Sequence, residues 1–215
     1  MAWVEQLKSA NWNLASWTVL GAYILGCFTT GYYLAKGRLQ VDLRELGSGA
    51  VGARNAGRVL GWQGFIGTVL GDFAKGAVAV WAARYFGKED WVPSIAMLAV
   101  VAGHIWPAQL RFRGGKGVCT SLGALAVYDV QLAVAFLVCF SAVFILMRRS
   151  VLPALCAFAS LPLASAYLGH PPAKALTVCV LSGFVLLAHR KNLIDELNQM
   201  LERRNFRPKA NHTHL

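Results

Sequence analysis

The chain reads as an all-α, polytopic integral membrane protein of seven transmembrane helices, one of them short, with the N-terminus outside and the C-terminus cytoplasmic. Three observations predict this. Of 215 residues, 56% are hydrophobic and only 14% are charged, against about a quarter charged in soluble domains. The charges gather between apolar runs instead of forming polar helix faces, as a soluble bundle would need. The basic residues fall in short connections, and such connections orient a chain by the positive-inside rule.

The first apolar run, 14–35, is 22 residues without a charge. At about 1.5 Å per residue it reaches about 33 Å, enough to cross a bilayer core. Glu5 and Lys8 precede it, so it lacks the positive n-region of a signal peptide, and the run is too long for an h-region. It is expected to stay as the first span. The second, 59–81, carries Asp72 and Lys75 at i, i+3, on one face. That pair reads either as a mutual ion pair or as the wall of an active cavity. Gly57, Gly61, Gly64, Gly67 and Gly71 beside it suggest close helix packing.

The third apolar segment is 92–110, and the fourth, 118–147, is 30 residues long with Tyr128 and Asp129 interrupting it. That length is too great for one untilted span and too small for two full ones. Segments 151–168 and 174–189 complete the set. Loop charge resolves the fourth. Basic residues mark 36–58, 111–117, Arg148-Arg149 and the tail from Arg190. If 118–147 folds back at Asp129, all four share the cytoplasmic side, and 82–90, 169–173 and the Asp129 turn lie outside. Residues 1–192 then form one membrane domain and 193–215 a basic cytoplasmic tail.

The net charge of +11 follows from this topology and gives no reason to invoke nucleic acid. Cys27, Cys119, Cys139, Cys156 and Cys179 lie in or beside apolar segments without CxxC or Cys/His spacing. They read as small buried hydrophobes, not as metal ligands or disulfides.

Three loops on the basic face carry anion-binding chemistry. In 47–58, Gly47 and Gly49 let backbone N–H groups approach a ligand, Ser48 and Asn55 offer neutral hydrogen bonds, and Arg58 supplies a planar fork. A flexible basic connector is the competing reading. In 103–120, Gly114, Gly115, Lys116 and Gly117 combine bare backbone with a lysine, and a helix N-terminus follows with Thr120 and Ser121 in its first turn. The spacing is not that of a Walker A loop. His104 lies about one turn before the end of its helix, and either hydrogen-bonds a neighbouring helix or serves the site. The third stretch, His189-Arg190-Lys191-Asn192, is also what a topology anchor looks like. No nucleophile elbow, HEXXH or H-x-x-x-x-D pattern occurs. Any chemistry here rests on phosphate positioning and electrostatics.

Four stretches resemble the bacterial PlsY family of acyl-phosphate:glycerol-3-phosphate acyltransferases: GSGAVGARNAGR at 47–58, DFAKG at 72–76, GHIWPAQLRFRGGKGVCT at 103–120 and HRKN at 189–192. The resemblance runs from the first span to about Asn192. It implies a seven-helix acyltransferase of the bacterial inner or plasma membrane, with its site on the cytoplasmic side, acting as a monomer in phospholipid synthesis. The substrates implied are acyl phosphate and glycerol 3-phosphate, met at the membrane lipid, with lysophosphatidate and inorganic phosphate as products. No metal and no organic cofactor are implied. By position, Ser48, Arg58, Lys116 and His189 would carry catalysis. Gly47, Gly49, Asn55, His104, Gly114, Gly115, Gly117, Thr120 and Asn192 would bind substrate or phosphate.

The chain departs from the family pattern at Ala50 and Arg54, where Asn and Thr are usual, at Ser150-Val151-Leu152-Pro153, and at Asp195 and Gln199-Met200-Leu201. These leave open a divergent member with a changed acceptor or lost activity. An organic-phosphate or anion transporter is the reading from another class, although no internal repeat of the transporter kind is found.

Overall fold

The structure is a computed structural model that describes residues 12–87, 91–148, 151–191 and 193–194. Among these the chain is helical, without strands. The first apolar run is not one helix but two, α1 (Trp12–Cys27) and α2 (Thr30–Leu39), bent by 44°. The cause lies in another helix. Asp72 Oδ1 accepts from Thr30 N (3.3 Å) and Thr30 Oγ1 (3.0 Å), while Lys75 Nζ donates to Gly26 O (3.1 Å) and Phe28 O (2.7 Å). Backbone groups freed at the break thus find polar partners, without which a broken helix is not tolerated at membrane depth.

Helix α3 (Ala53–Phe86) is 34 residues long and begins inside what the sequence reads as a loop. It breaks at Gly61, whose φ of 71° lies in the left-handed region that favours glycine. Helix α4 (Val92–Ile105) stops before Pro107, which has no N–H to continue it, and a 3-10 turn follows at Ala108–Leu110. The fold-back at Asp129 is present between α5 (Val118–Tyr128) and α6 (Val130–Met147). Asp129 caps α6 by accepting from Leu132 N (3.0 Å), and its other oxygen receives Lys174 Nζ and lies 3.3 Å from His170 Nε2. The chain ends its described part with α7 (Val151–Tyr167) and α8 (Pro172–Ala188).

By length and apolar character, α3, the 92–110 segment and α6 suit a membrane crossing, and the bent α1–α2 pair is a fourth candidate; α5, α7 and α8 are shorter apolar helices. The outward faces carry Trp17, Leu70, Val138, Ile145 and Leu163, a surface that belongs in lipid. Inside, Met97, Leu125, Leu132, Phe158, Leu161 and Leu181 form the core. Helices α3 and α5 touch backbone to backbone. A Cβ on Gly76 would lie 2.1 Å from Thr120 O, and one on Gly123 would lie 2.0 Å from Phe73 O. This crossing fixes where the N-terminus of α5 points.

Candidate active site

The first glycine stretch is folded by one side chain. Asn55 is buried, its Oδ1 accepts from Ser48 N (2.9 Å), and its Nδ2 sits at hydrogen-bond distance from Leu43 O (3.1 Å), Leu46 O (2.9 Å) and Ala50 O (2.9 Å). The amide expected from the sequence to bind phosphate is therefore turned into its own loop. Gly47 packs against it, where a Cβ would meet Asn55 Oδ1 at 2.2 Å. An Asn55→Asp variant would keep the acceptor but set a carboxylate against three carbonyls. It is expected to lose about 3 kcal/mol or more, checked as a lowered Tm in detergent.

The second stretch lies along the end of α4. Gly114 N donates to Ile105 O (3.1 Å) and Gly115 N to His104 O (3.0 Å). A Cβ on Gly115 would fall 2.1 Å from His104 Nε2, so only glycine lets the loop rest on this ring. Gly117, at φ 83°, then starts α5.

The third is the exit of α8. His189 Nδ1 lies 2.8 Å from Val185 O. A carbonyl only accepts, so Nδ1 carries the hydrogen and Nε2 of the neutral ring is left as an acceptor. Burial lowers the His189 pKa from its usual 6.5; the Val185 bond opposes this, and the charges of Lys116 and Arg54 lower it further. The ring is neutral at pH 7.

All three stretches border one cavity of about 940 Å³. Of the expected catalytic residues, Ser48, Arg58, Lys116 and His189 all line it, as do Gly49, His104, Gly114, Gly115 and Gly117. Asn55 also lines it, with its side-chain amide committed to its own loop. Gly47 and Thr120 do not line it; Thr120 is buried, its backbone oxygen against Gly76 of α3, although the first turn of α5 is at the cavity. Asn192 and residues 195–215, Asp195 among them, lie outside the described residues.

The cavity's electrostatics are one-sided. Arg54, Arg58, Arg113, Lys116, Arg190 and Lys191 line it, and its carboxylate, Asp72, is paired with Lys75 at 3.0 Å. Two helix N-termini open onto it. The N-caps are Gly52 for α3 and Gly117 for α5, neither supplies a side-chain cap, and Ala53, Val118 and Cys119 of the first turns are at the wall. First-turn N–H groups have no partner within their helix and carry the positive end of the dipole, so both ends suit an anion. The remaining wall is apolar: Phe65, Val69, Phe140, Val151, Ala154 and Leu187. A molecule with an anionic head and a hydrocarbon tail fits such a site.

Arg54, a departure from the family pattern, adds a cation to this wall. Sequence reasoning missed Arg113, although it stands in the same basic glycine motif. It also set Cys119 aside as a buried hydrophobe. The apolar wall carried no local signal, because its residues come from four helices.

Residues 16–199 match the family model described as glycerol-3-phosphate acyltransferase. The chain is 46% identical over 186 residues to glycerol-3-phosphate acyltransferase 1 of Desulfitobacterium hafniense, covering 86% of this chain and 92% of that protein. It is 37% identical over 190 residues to the glycerol-3-phosphate acyltransferase of Thermus thermophilus, covering 88% and 94%. Its fold is similar to the crystal structure of PlsY (YgiH), an integral membrane glycerol 3-phosphate acyltransferase, in the glycerol 3-phosphate form. That match has a TM-score of 0.79 at 33% identity, over 86% of this chain and 92% of the other. With sequence, fold and a cation-lined cavity in agreement, the chain belongs to the PlsY family of integral membrane glycerol-3-phosphate acyltransferases.

Proposed function

We propose that the protein transfers the acyl group of an acyl phosphate to the 1-hydroxyl of glycerol 3-phosphate, forming lysophosphatidate and inorganic phosphate for phospholipid synthesis. The observation that carries this is the single cavity in which six cations and two uncapped helix N-termini face an apolar wall. Two phosphorylated substrates, one with a fatty chain, need that combination. An acyl phosphate is already activated, so the acceptor hydroxyl attacks the acyl carbon directly, the carbonyl oxygen takes the negative charge, and phosphate leaves. Lys116, Arg58 and the two helix ends offset that charge. The hydroxyl proton passes to a substrate phosphate oxygen, and His189 Nε2 accepts a hydrogen bond from the glycerol. Ser48 and the glycine backbone hold the phosphates.

The same reading puts seven crossings in a bacterial inner or plasma membrane, the N-terminus outside, and the cavity on the cytoplasmic side. What supports the orientation is that the basic loops border the cavity while Asp129 and Lys174 sit at the other ends of their helices. The same reading takes the protein as a monomer.

The test is to give purified protein in lipid an acyl phosphate and glycerol 3-phosphate. Lysophosphatidate and inorganic phosphate are expected in equal amounts. No product under varied acyl length and pH, or uptake of glycerol 3-phosphate into proteoliposomes without acylation, would overturn the reading.

A further inference from the structure

Three titratable groups lie together beneath the phosphate loop, and the transfer step calls on none of them. Asp72, Lys75 and His104 are 2%, 5% and 3% exposed. Lys75 Nζ lies 3.0 Å from Asp72 Oδ1, 3.1 Å from Gly26 O, 2.7 Å from Phe28 O and 2.8 Å from His104 Nδ1. The carboxylate and both carbonyls only accept hydrogen bonds. Asp72 Oδ1 also takes both donors of Thr30, as an ionised carboxylate does, and so keeps Lys75 an ammonium. An ammonium has no lone pair. The His104 nitrogen facing it is therefore unprotonated, and the neutral ring carries its hydrogen on Nε2.

That Nε2 edge rests on Gly115 and the ring borders the cavity. His189 borders the same cavity with its hydrogen on Nδ1, committed to Val185 O. The two histidines are thus held in opposite tautomers. We propose that Asp72 and Lys75 are positioning residues that lock His104 as a hydrogen-bond donor to a substrate oxygen, opposite the acceptor His189, while seating the Gly114–Lys116 loop on the ring. The identity of that oxygen, on a phosphate or on the acyl carbonyl, rests on the acyl-transfer reading; the tautomers do not. The arrangement also explains the break between α1 and α2, because the carbonyls that orient Lys75 are freed there. A charged pair this deep in a membrane protein is costly to keep, and here the carboxylate, the two carbonyls and the imidazole share the three hydrogens of the ammonium.

The test is ¹⁵N NMR of histidine-labelled protein in lipid, with the two rings assigned by the loss of their signals in His104→Gln and His189→Gln. In the wild type, His104 is expected as the Nε2–H tautomer and His189 as the Nδ1–H tautomer. Lys75→Met should spread His104 over both tautomers and lower turnover by about 100-fold, the scale of losing one preorganised donor. The KM for glycerol 3-phosphate should change far less. A wild-type His104 protonated on Nδ1 overturns the proposal even if no variant folds. So does a Lys75→Met protein whose His104 signal and turnover match the wild type. A wild type with the expected tautomers but no acyl transfer would instead sink the acyl-transfer reading and leave the positioning in place.

Discussion

A Lys116→Ala variant is expected to lose kcat/KM by at least about 100-fold while keeping its fold. Lys116 is half-buried at the cavity wall, on a loop fixed by the Gly114 and Gly115 bonds to Ile105 O and His104 O. Its ammonium is therefore carried to one place before substrate arrives, and a preorganised charge is worth more than a mobile one. A charge-assisted bond contributes about 1.5–3 kcal/mol. Removing one donor aimed at transition-state charge costs about 2.7–4 kcal/mol, which sets the 100-fold scale. Lys116→Arg should recover only part of the rate, because a planar fork does not replace a compact point charge on a tight glycine loop. The measurement is initial rate against both substrates, with Tm alongside. A Lys116→Ala rate within about threefold of wild type would remove this residue from the substrate.

The largest loss of stability is expected from Gly123→Leu. Its Cβ would stand 2.0 Å from Phe73 O and 2.7 Å from Phe73 C, both backbone atoms of α3, so no side chain can move aside. The helices must separate, and with them goes the reciprocal approach of Gly76 to Thr120 O, at 2.1 Å for an added Cβ. Close small-residue crossings hold membrane helices by packing, in the absence of a hydrophobic force between them. Separation should cost more than about 3 kcal/mol, as overpacking at a rigid contact does, and lower Tm by about 10 °C. Gly21 and Gly183 have nothing within 4 Å of an added Cβ, so Gly21→Ala and Gly183→Ala should leave Tm nearly unchanged. Activity should fall with Gly123→Leu as well, because this crossing aims α5 at the cavity. A Tm equal to wild type would show that the crossing does not hold the bundle.

Some of this was legible in the chain and some was not, for physical reasons. The hairpin at Asp129 could be read from loop charge, since lipid forces long-range topology into a local count of Lys and Arg. The phosphate loop could be read because glycine, lysine and a helix start lie adjacent in sequence. The bend between α1 and α2 could not. Neither Phe28 nor Thr29 is a helix breaker, and the bend is held by Asp72 and Lys75 more than forty residues away. Asn55 was legible as polar and loop-borne, but which way its amide turns depends on three carbonyls placed by the tertiary fold. Thr120 misled in the opposite direction. Its place in the first turn of α5 put it near the loop, while helix rotation, set by the Gly76–Gly123 crossing, buried it away from the cavity. The departure at Arg54 was visible, yet only the structure places its charge on the cavity wall with Lys116 and near His189.

The proposed reaction is direct transfer between two phosphorylated substrates held together in one cationic cavity, with no acyl-enzyme. Cys119 lines that cavity and is the one thiol that could carry the covalent alternative. Initial-velocity kinetics with acyl phosphate and glycerol 3-phosphate both varied separate the two routes. Direct transfer predicts double-reciprocal lines that intersect, in wild type and in Cys119→Ala alike. Parallel lines, with labelled acyl group retained on the protein when acceptor is withheld, would contradict it.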